Sequence, residues 1–117
     1  MAKIAMILRK PPYGDINAAE AVRHAMGGVT GDLSVDLILV DGGVFVAKKG
    51  QDVADSGFTN MGDTVKDCVD MGVNVYADKN SLKEQNLGIT DIIGGVKVAN
   101  GIEIATLVSE AEKIMIF

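Results

Sequence analysis

Apolar and polar positions fall into blocks along the chain, and each block has the length of one secondary-structure element. Lys3–Leu8 (KIAMIL) is an apolar run of strand length, stopped by Arg9-Lys10-Pro11-Pro12-Tyr13-Gly14. Two consecutive prolines donate no ladder hydrogen bond and stiffen the loop. Ala18, Ala21, Val22 and Ala25 then recur at helical spacing and predict a helix with a narrow face of small side chains. Asn17 with Glu20 forms a capping-box-like pair at its start, and Gly27-Gly28 is the expected stop. Ser34–Val40 (SVDLILV) reads as the second strand and runs into Asp41-Gly42-Gly43, where glycine permits a positive φ or a close backbone approach. Val44–Lys49 is predicted as a short helix and Gly50–Ser56 as a surface loop.

The second half repeats the alternation. Thr59 or Asn60 is placed to cap a helix whose Met61, Val65, Cys68 and Val69 form one apolar stripe, with Asp63, Lys66, Asp67 and Asp70 away from it. Gly72 closes that helix, and Val73–Ala77 (VNVYA) is the third strand. A helical turn at Ser81–Gln85 follows, with Asn80 as the expected cap. Thr90–Ile93 reads as another turn and Val96–Val98 as a short strand. Asn100 and Glu103 repeat the capping-box pattern before a helix whose Ile104, Leu107, Val108 and Ala111 should be its buried stripe. Lys113–Phe117 (KIMIF) is the final strand.

Strand and helix alternate throughout. The expected fold is therefore α/β, a three-layer sandwich with a mostly parallel sheet of about five strands and helices on both faces. The 117 residues suit a single domain, 1–117. Composition sharpens this picture. The chain is 48% hydrophobic but only 4% aromatic, so aliphatic side chains must build the core, as in a parallel sheet covered on both sides. A net charge of −5 disfavours direct nucleic-acid binding, and the longest basic runs are the pairs Arg9-Lys10 and Lys48-Lys49. No signal peptide is read at the N-terminus, and no apolar run approaches the roughly 20 residues that span a bilayer, so a cytoplasmic protein without membrane contact is expected.

In such sheets ligands bind outside the carboxyl ends of the strands. Those ends supply Arg9, Lys10 and Tyr13, then Asp41, Gly42 and Gly43, then Asp78, Lys79 and Asn80, then Asn100. The alternative is that these are ordinary loop residues and caps. Cys68 is the only thiol, and its place on an apolar stripe points to packing rather than reactivity. His24, the only histidine, has no ligand-type neighbour in sequence, and Asp63, Asp67 and Asp70 read as a solvated helix face rather than a metal cage. No GxGxxG follows the first strand, and no GxxxxGK[ST], G-x-S-x-G or cysteine pair occurs. No metal and no cofactor is expected.

At this point the chain resembles the DsrE/DsrF sulfur-relay family, and most closely its TusC/DsrF branch. KIAMILRKPPYGDINAAEAV is similar to the branch's first strand, Pro-Gly loop and helix, and LILVDGGVFVAKKGQ to its second strand and following helix. VNVYADKNSLKEQNLG resembles the third strand and active-site turn, and KIMIF the C-terminal strand. The resemblance implies a DsrE-like fold, passage of sulfur as a cysteine persulfide in tRNA 2-thiouridine synthesis or sulfur oxidation, and assembly into trimers or hexamers of like or related subunits. Where the family carries its relay cysteine, the residue sits just after the third strand; the matching position here is Asp78. A carboxylate cannot carry sulfane sulfur. The resemblance therefore implies a non-catalytic or structural subunit of a sulfur relay, working with a relay partner. Two alternatives stay open: a persulfide-carrying sulfurtransferase using Cys68, and a small-molecule or anion-binding protein with Arg9, Lys10 and Asp78 around a pocket.

Overall fold

In the computed structural model of the protein, residues 2–54, 56 and 60–117 are described. The apolar runs become the strands β1 (Lys3–Leu8), β2 (Ser34–Leu39), β3 (Asn74–Asp78), β4 (Lys97–Ala99) and β5 (Lys113–Ile116). They form one sheet in the order β4-β3-β2-β1-β5, and every pairing is parallel. The helices are α1 (Asn17–Thr30), α2 (Met61–Met71), α3 (Lys79–Glu84) and α4 (Gly101–Glu110), with 3-10 turns at Asp41–Ala47 and Ile89–Asp91.

The strand order fixes where the helices lie. From β1 to β4 each crossover steps the same way along the sheet, so right-handed connections place α1, α2 and α3 on one face. The connection from β4 to β5 returns across three strands, and α4 falls on the opposite face, against β1. The first face holds the core. Met6 and Leu8, Val35, Leu37 and Leu39, and Val75 and Ala77 project from alternate strand positions onto Ala21, Val22 and Ala25 of α1 and Met61, Val65 and Cys68 of α2. Burying the valines, leucines and methionines among them contributes roughly 1.5–3 kcal/mol each, before the entropy of ordering them is set against it.

Several local expectations are corrected. Helix α1 does not stop at Gly27-Gly28 but runs to Thr30 with Gly31 as its C-cap. Gly28 serves packing instead: a Cβ there would lie 2.8 Å from Val35 Cγ2, so the missing side chain lets α1 close on β2. The N-cap of α1 is Ile16, without a side-chain bond, so the expected Asn17–Glu20 pair does not cap the helix; instead the Asp15 carboxylate accepts from the Asn17 amide (2.7 Å). The helix expected at Val44–Lys49 is a 3-10 turn that starts earlier, at Asp41. Asn60 caps α2 as expected, its side chain accepting from the Asp63 amide, whereas Thr59 lies outside the described residues. The reciprocal Asn100–Glu103 capping box of α4 is present, at 2.8 and 3.1 Å.

The largest correction concerns α4. Ile104, Leu107, Val108 and Ala111 are only half-buried, and α4 has no buried residue. One helix cannot cover five strands, so this side of the sheet stays partly open. Ile114 and Ile116 of β5 and Ile102 of α4 are 45%, 63% and 80% exposed. A buried carboxylate sits among these strands. Asp36, 1% exposed, accepts from Asn74 Nδ2 (3.2 Å) and pairs with Lys3 Nζ (3.3 Å). Lys3 also reaches Glu110 at the end of α4 (3.6 Å). The Asp36 charge is the main cause that raises the Lys3 pKa, against the lowering effect of burial.

Candidate functional site

The carboxyl ends of β1, β2 and β3 lie side by side, because Leu8 pairs with Leu39 and Leu39 with Ala77. Two glycines let the connections crowd together there. A Cβ on Gly43 would fall 2.2 Å from the Leu8 carbonyl oxygen, and one on Gly42 would fall 3.1 Å from Pro11 Cδ and 3.5 Å from the Arg9 carbonyl oxygen. The turn after β2 therefore sits directly on the end of β1, and at Gly43 only glycine fits. Asp41, which opens this turn, takes a positive φ of 50°, a conformation that aspartate tolerates better than most residues.

Asp78 ends β3 and caps α3. Its Oδ2 accepts from the Ser81 amide (3.1 Å) and from the Ser81 hydroxyl (2.6 Å). Ser81 Oγ in turn accepts from the Asp41 amide (2.8 Å). Ser81 is buried, at 3% exposure, so this chain of bonds ties the end of β3 to the end of β2 inside the protein. The expected cap, Asn80, is instead an exposed residue of the first turn of α3, beside exposed Lys79. The carboxylate wins because its position at the strand end lets one oxygen reach both Ser81 donors. Arg9 and Lys10 are exposed at the neighbouring end of β1, where the Arg9 amide donates to the Phe117 carbonyl (3.0 Å).

Tyr13 belongs to a different constellation. Its hydroxyl donates to Gln51 Oε1 and accepts from the Met61 amide (3.3 Å), which pins the loop after β1 to the start of α2. Gln51 Nε2 donates to the carbonyls of Val46 (2.8 Å) and Lys48 (3.0 Å), and Asn60 Nδ2 donates to the Gln51 carbonyl (2.9 Å). Beside these residues lies a cavity of about 210 Å³ whose lining includes Lys48, Lys49 and Lys66. Sequence reasoning missed Ser81, Gln51 and the convergence of these lysines. The only signal was the pair Lys48-Lys49, since Lys66 joins it through the fold.

Cys68 is fully buried on α2. Burial, with a smaller contribution from the Asp67 charge, pushes its thiol up to about 11, so the thiolate needed for nucleophilic chemistry is not formed near neutral pH. Asp63, Asp67 and Asp70 are exposed, and no group of three or more metal-ligand side chains converges among the described residues. No helix among them is long and apolar enough to cross a membrane.

The model of the DsrE/DsrF-like family matches residues 2–117. The chain belongs to the DsrE/DsrF-like family. Within it, this DsrE/DsrF-like protein is similar to the intracellular sulfur oxidation protein DsrF of Allochromatium vinosum, with 33% identity over 92 residues covering 78% of this chain and 68% of DsrF. It is also similar to an uncharacterised protein of Methanopyrus kandleri, 28% identical over 97% of this chain and 93% of that one. Its fold matches the crystal structure of the ychN protein from E. coli, with a TM-score of 0.91 and 22% identity over the whole of both chains. The three-layer α/β architecture with its all-parallel five-stranded sheet is thus the DsrE-like fold.

Proposed function

We propose that this DsrE/DsrF-like protein is a non-catalytic, structural subunit of a cytoplasmic sulfur-relay assembly. Family membership supports a role connected with sulfur relay, and the observation that carries the finer reading is the use made of Asp78. The residue at the relay position is a carboxylate locked into capping α3 through two bonds to Ser81, and the chain's one thiol is buried with a raised pKa. Neither group offers the exposed thiolate that persulfide transfer requires.

Such a subunit acts through association with like or related chains. The partly open sheet face supports this, because Ile102, Ile114 and Ile116 place large aliphatic side chains in water beside the loosely covered α4. The partner is a cysteine-bearing relative, and the assembly is a trimer or hexamer of the two. Co-expression with such a relative tests the reading. Co-purification in a fixed ratio, with sulfur transfer by the relative improved in the joint assembly, is the expected result. A stable homo-oligomer that ignores every cysteine-bearing relative tried would count against it.

A further inference from the structure

The relay reading makes no use of the lysine-lined cavity at the start of α2. We propose that this cavity is a binding site for a small polyvalent oxyanion of the phosphate or sulfur-oxyanion type. The inference stands apart from the relay reading and rests on charge, a helix N-terminal donor and rigidity.

Charge comes first. Lys48, Lys49 and Lys66 line one cavity of about 210 Å³, and Asp63 is the one acidic residue among its described lining residues, so these residues together carry a charge of +2 in a chain whose net charge is −5. Among the described residues none of the three lysines has a carboxylate within ion-pair distance, although the chain carries 16 Asp and Glu. Three like charges around one concavity repel each other, and an anion between them relieves that repulsion.

The second observation is a backbone donor. Of the first four amides of α2, Met61 donates to the Tyr13 hydroxyl, Asp63 to Asn60 Oδ1 and Thr64 to the Asn60 carbonyl. The Gly62 amide has no acceptor among the described residues, yet Gly62 is buried and lines the cavity. Buried N–H groups need acceptors, and an amide at a helix N-terminus is a donor that an oxyanion in the cavity would use. The absence of a side chain matters here too, since a Cβ on Gly62 would meet Gln51 Nε2 at 3.0 Å and Asn60 Oδ1 at 3.1 Å.

The third is rigidity. Gln51 and Asn60 spend their side-chain groups on the Tyr13 hydroxyl, on backbone carbonyls and on the Asp63 amide, so the wall is fixed and Lys48 and Lys49 are carried on a segment that is tied down. The volume is below that of ordinary drug-sized pockets, which favours a compact ligand. Three lysines and a helix N-terminal amide along one small cavity suit an oxyanion with two or more charges. The site faces the carboxyl-end side of the sheet, where open α/β sheets bind ligands.

Isothermal titration calorimetry on the full chain tests this, with inorganic phosphate and thiosulfate titrated separately at constant ionic strength set with chloride. Saturable binding of one or both anions is expected, and the preferred one identifies the ligand class. The triple variant Lys48→Ala, Lys49→Ala, Lys66→Ala should bind on the order of tenfold more weakly or not at all, as loss of charge-assisted bonds implies. Lys66→Gln alone, at an exposed helix position, should weaken binding several-fold and guards against misfolding of the triple variant. Lys113→Ala, which removes a lysine from β5, should bind like the wild type. No saturation with either anion overturns the proposal, as does a triple variant that binds normally or a Lys113→Ala variant that loses as much.

Discussion

The Asp78 carboxylate and the Ser81 hydroxyl are joined by a 2.6 Å hydrogen bond that closes the first turn of α3 onto the end of β3. The same carboxylate oxygen holds the Ser81 amide, and Ser81 passes the connection on to the Asp41 amide at the end of β2. Asp78 therefore carries a structural load.

That load is measurable. Asp78→Ala removes an N-cap acceptor and leaves a buried hydroxyl with one partner fewer, so it should lower unfolding stability by about 1–2 kcal/mol. Asp78→Asn keeps an acceptor of the same shape and should cost less than half as much. Urea denaturation of the two variants beside the wild type reads both values.

Cys68 gives a pH signature. Its thiol is held neutral in the folded protein, with the pKa pushed up to about 11 from its ordinary value of 9.0, chiefly by burial. The unfolded chain releases this proton at the lower pKa, so between the two values the unfolded state binds fewer protons and stability falls as pH rises. The contribution is fully present below about pH 9 and is lost by about pH 11. The stability gap between wild type and Cys68→Ala should therefore shrink across that window. Below it, alkylation of the native thiol should be much slower than that of the urea-unfolded chain.

How much of this was legible in the sequence follows from which contacts are local. The strands and the α2 stripe announce themselves through periodicity, because every residue on such a face meets the same core. Caps at Asn60 and Asn100 are local too, since the acceptor lies three residues from the donor. Asp78 obeys the same spacing with Ser81, but Asn80 was an equally good cap by type, and only the strand end decides between them. Gly28 looks like a helix stop in sequence because its packing partner, Val35, lies beyond the next turn. The buried stripe of α4 failed for a topological reason: an apolar helix face looks the same whether the protein covers it or leaves it half open. The loop that holds Tyr13 is legible from Pro11-Pro12, but the ties of Tyr13 to Gln51 and Met61 span 38 and 48 positions and leave no local trace.

The open face makes its own prediction. Ile114 and Ile116 lie on β5, an edge strand, on the side that α4 covers poorly. If this face seats another subunit, Ile116→Glu should lower the mass measured by light scattering toward that of one chain while leaving the far-ultraviolet spectrum unchanged. An unchanged assembly size would place the contact elsewhere.

The central claim is that this chain does not carry sulfur itself, and sulfur loading tests it most directly. The protein is incubated with a cysteine desulfurase and cysteine and then weighed intact, beside Cys68→Ser and beside a cysteine-bearing relative. The expected result is that the relative gains sulfur and this protein gains none, because its thiol is buried and Asp78 offers no sulfur atom. A single added sulfur that disappears in Cys68→Ser would contradict the claim and make Cys68 the carrier.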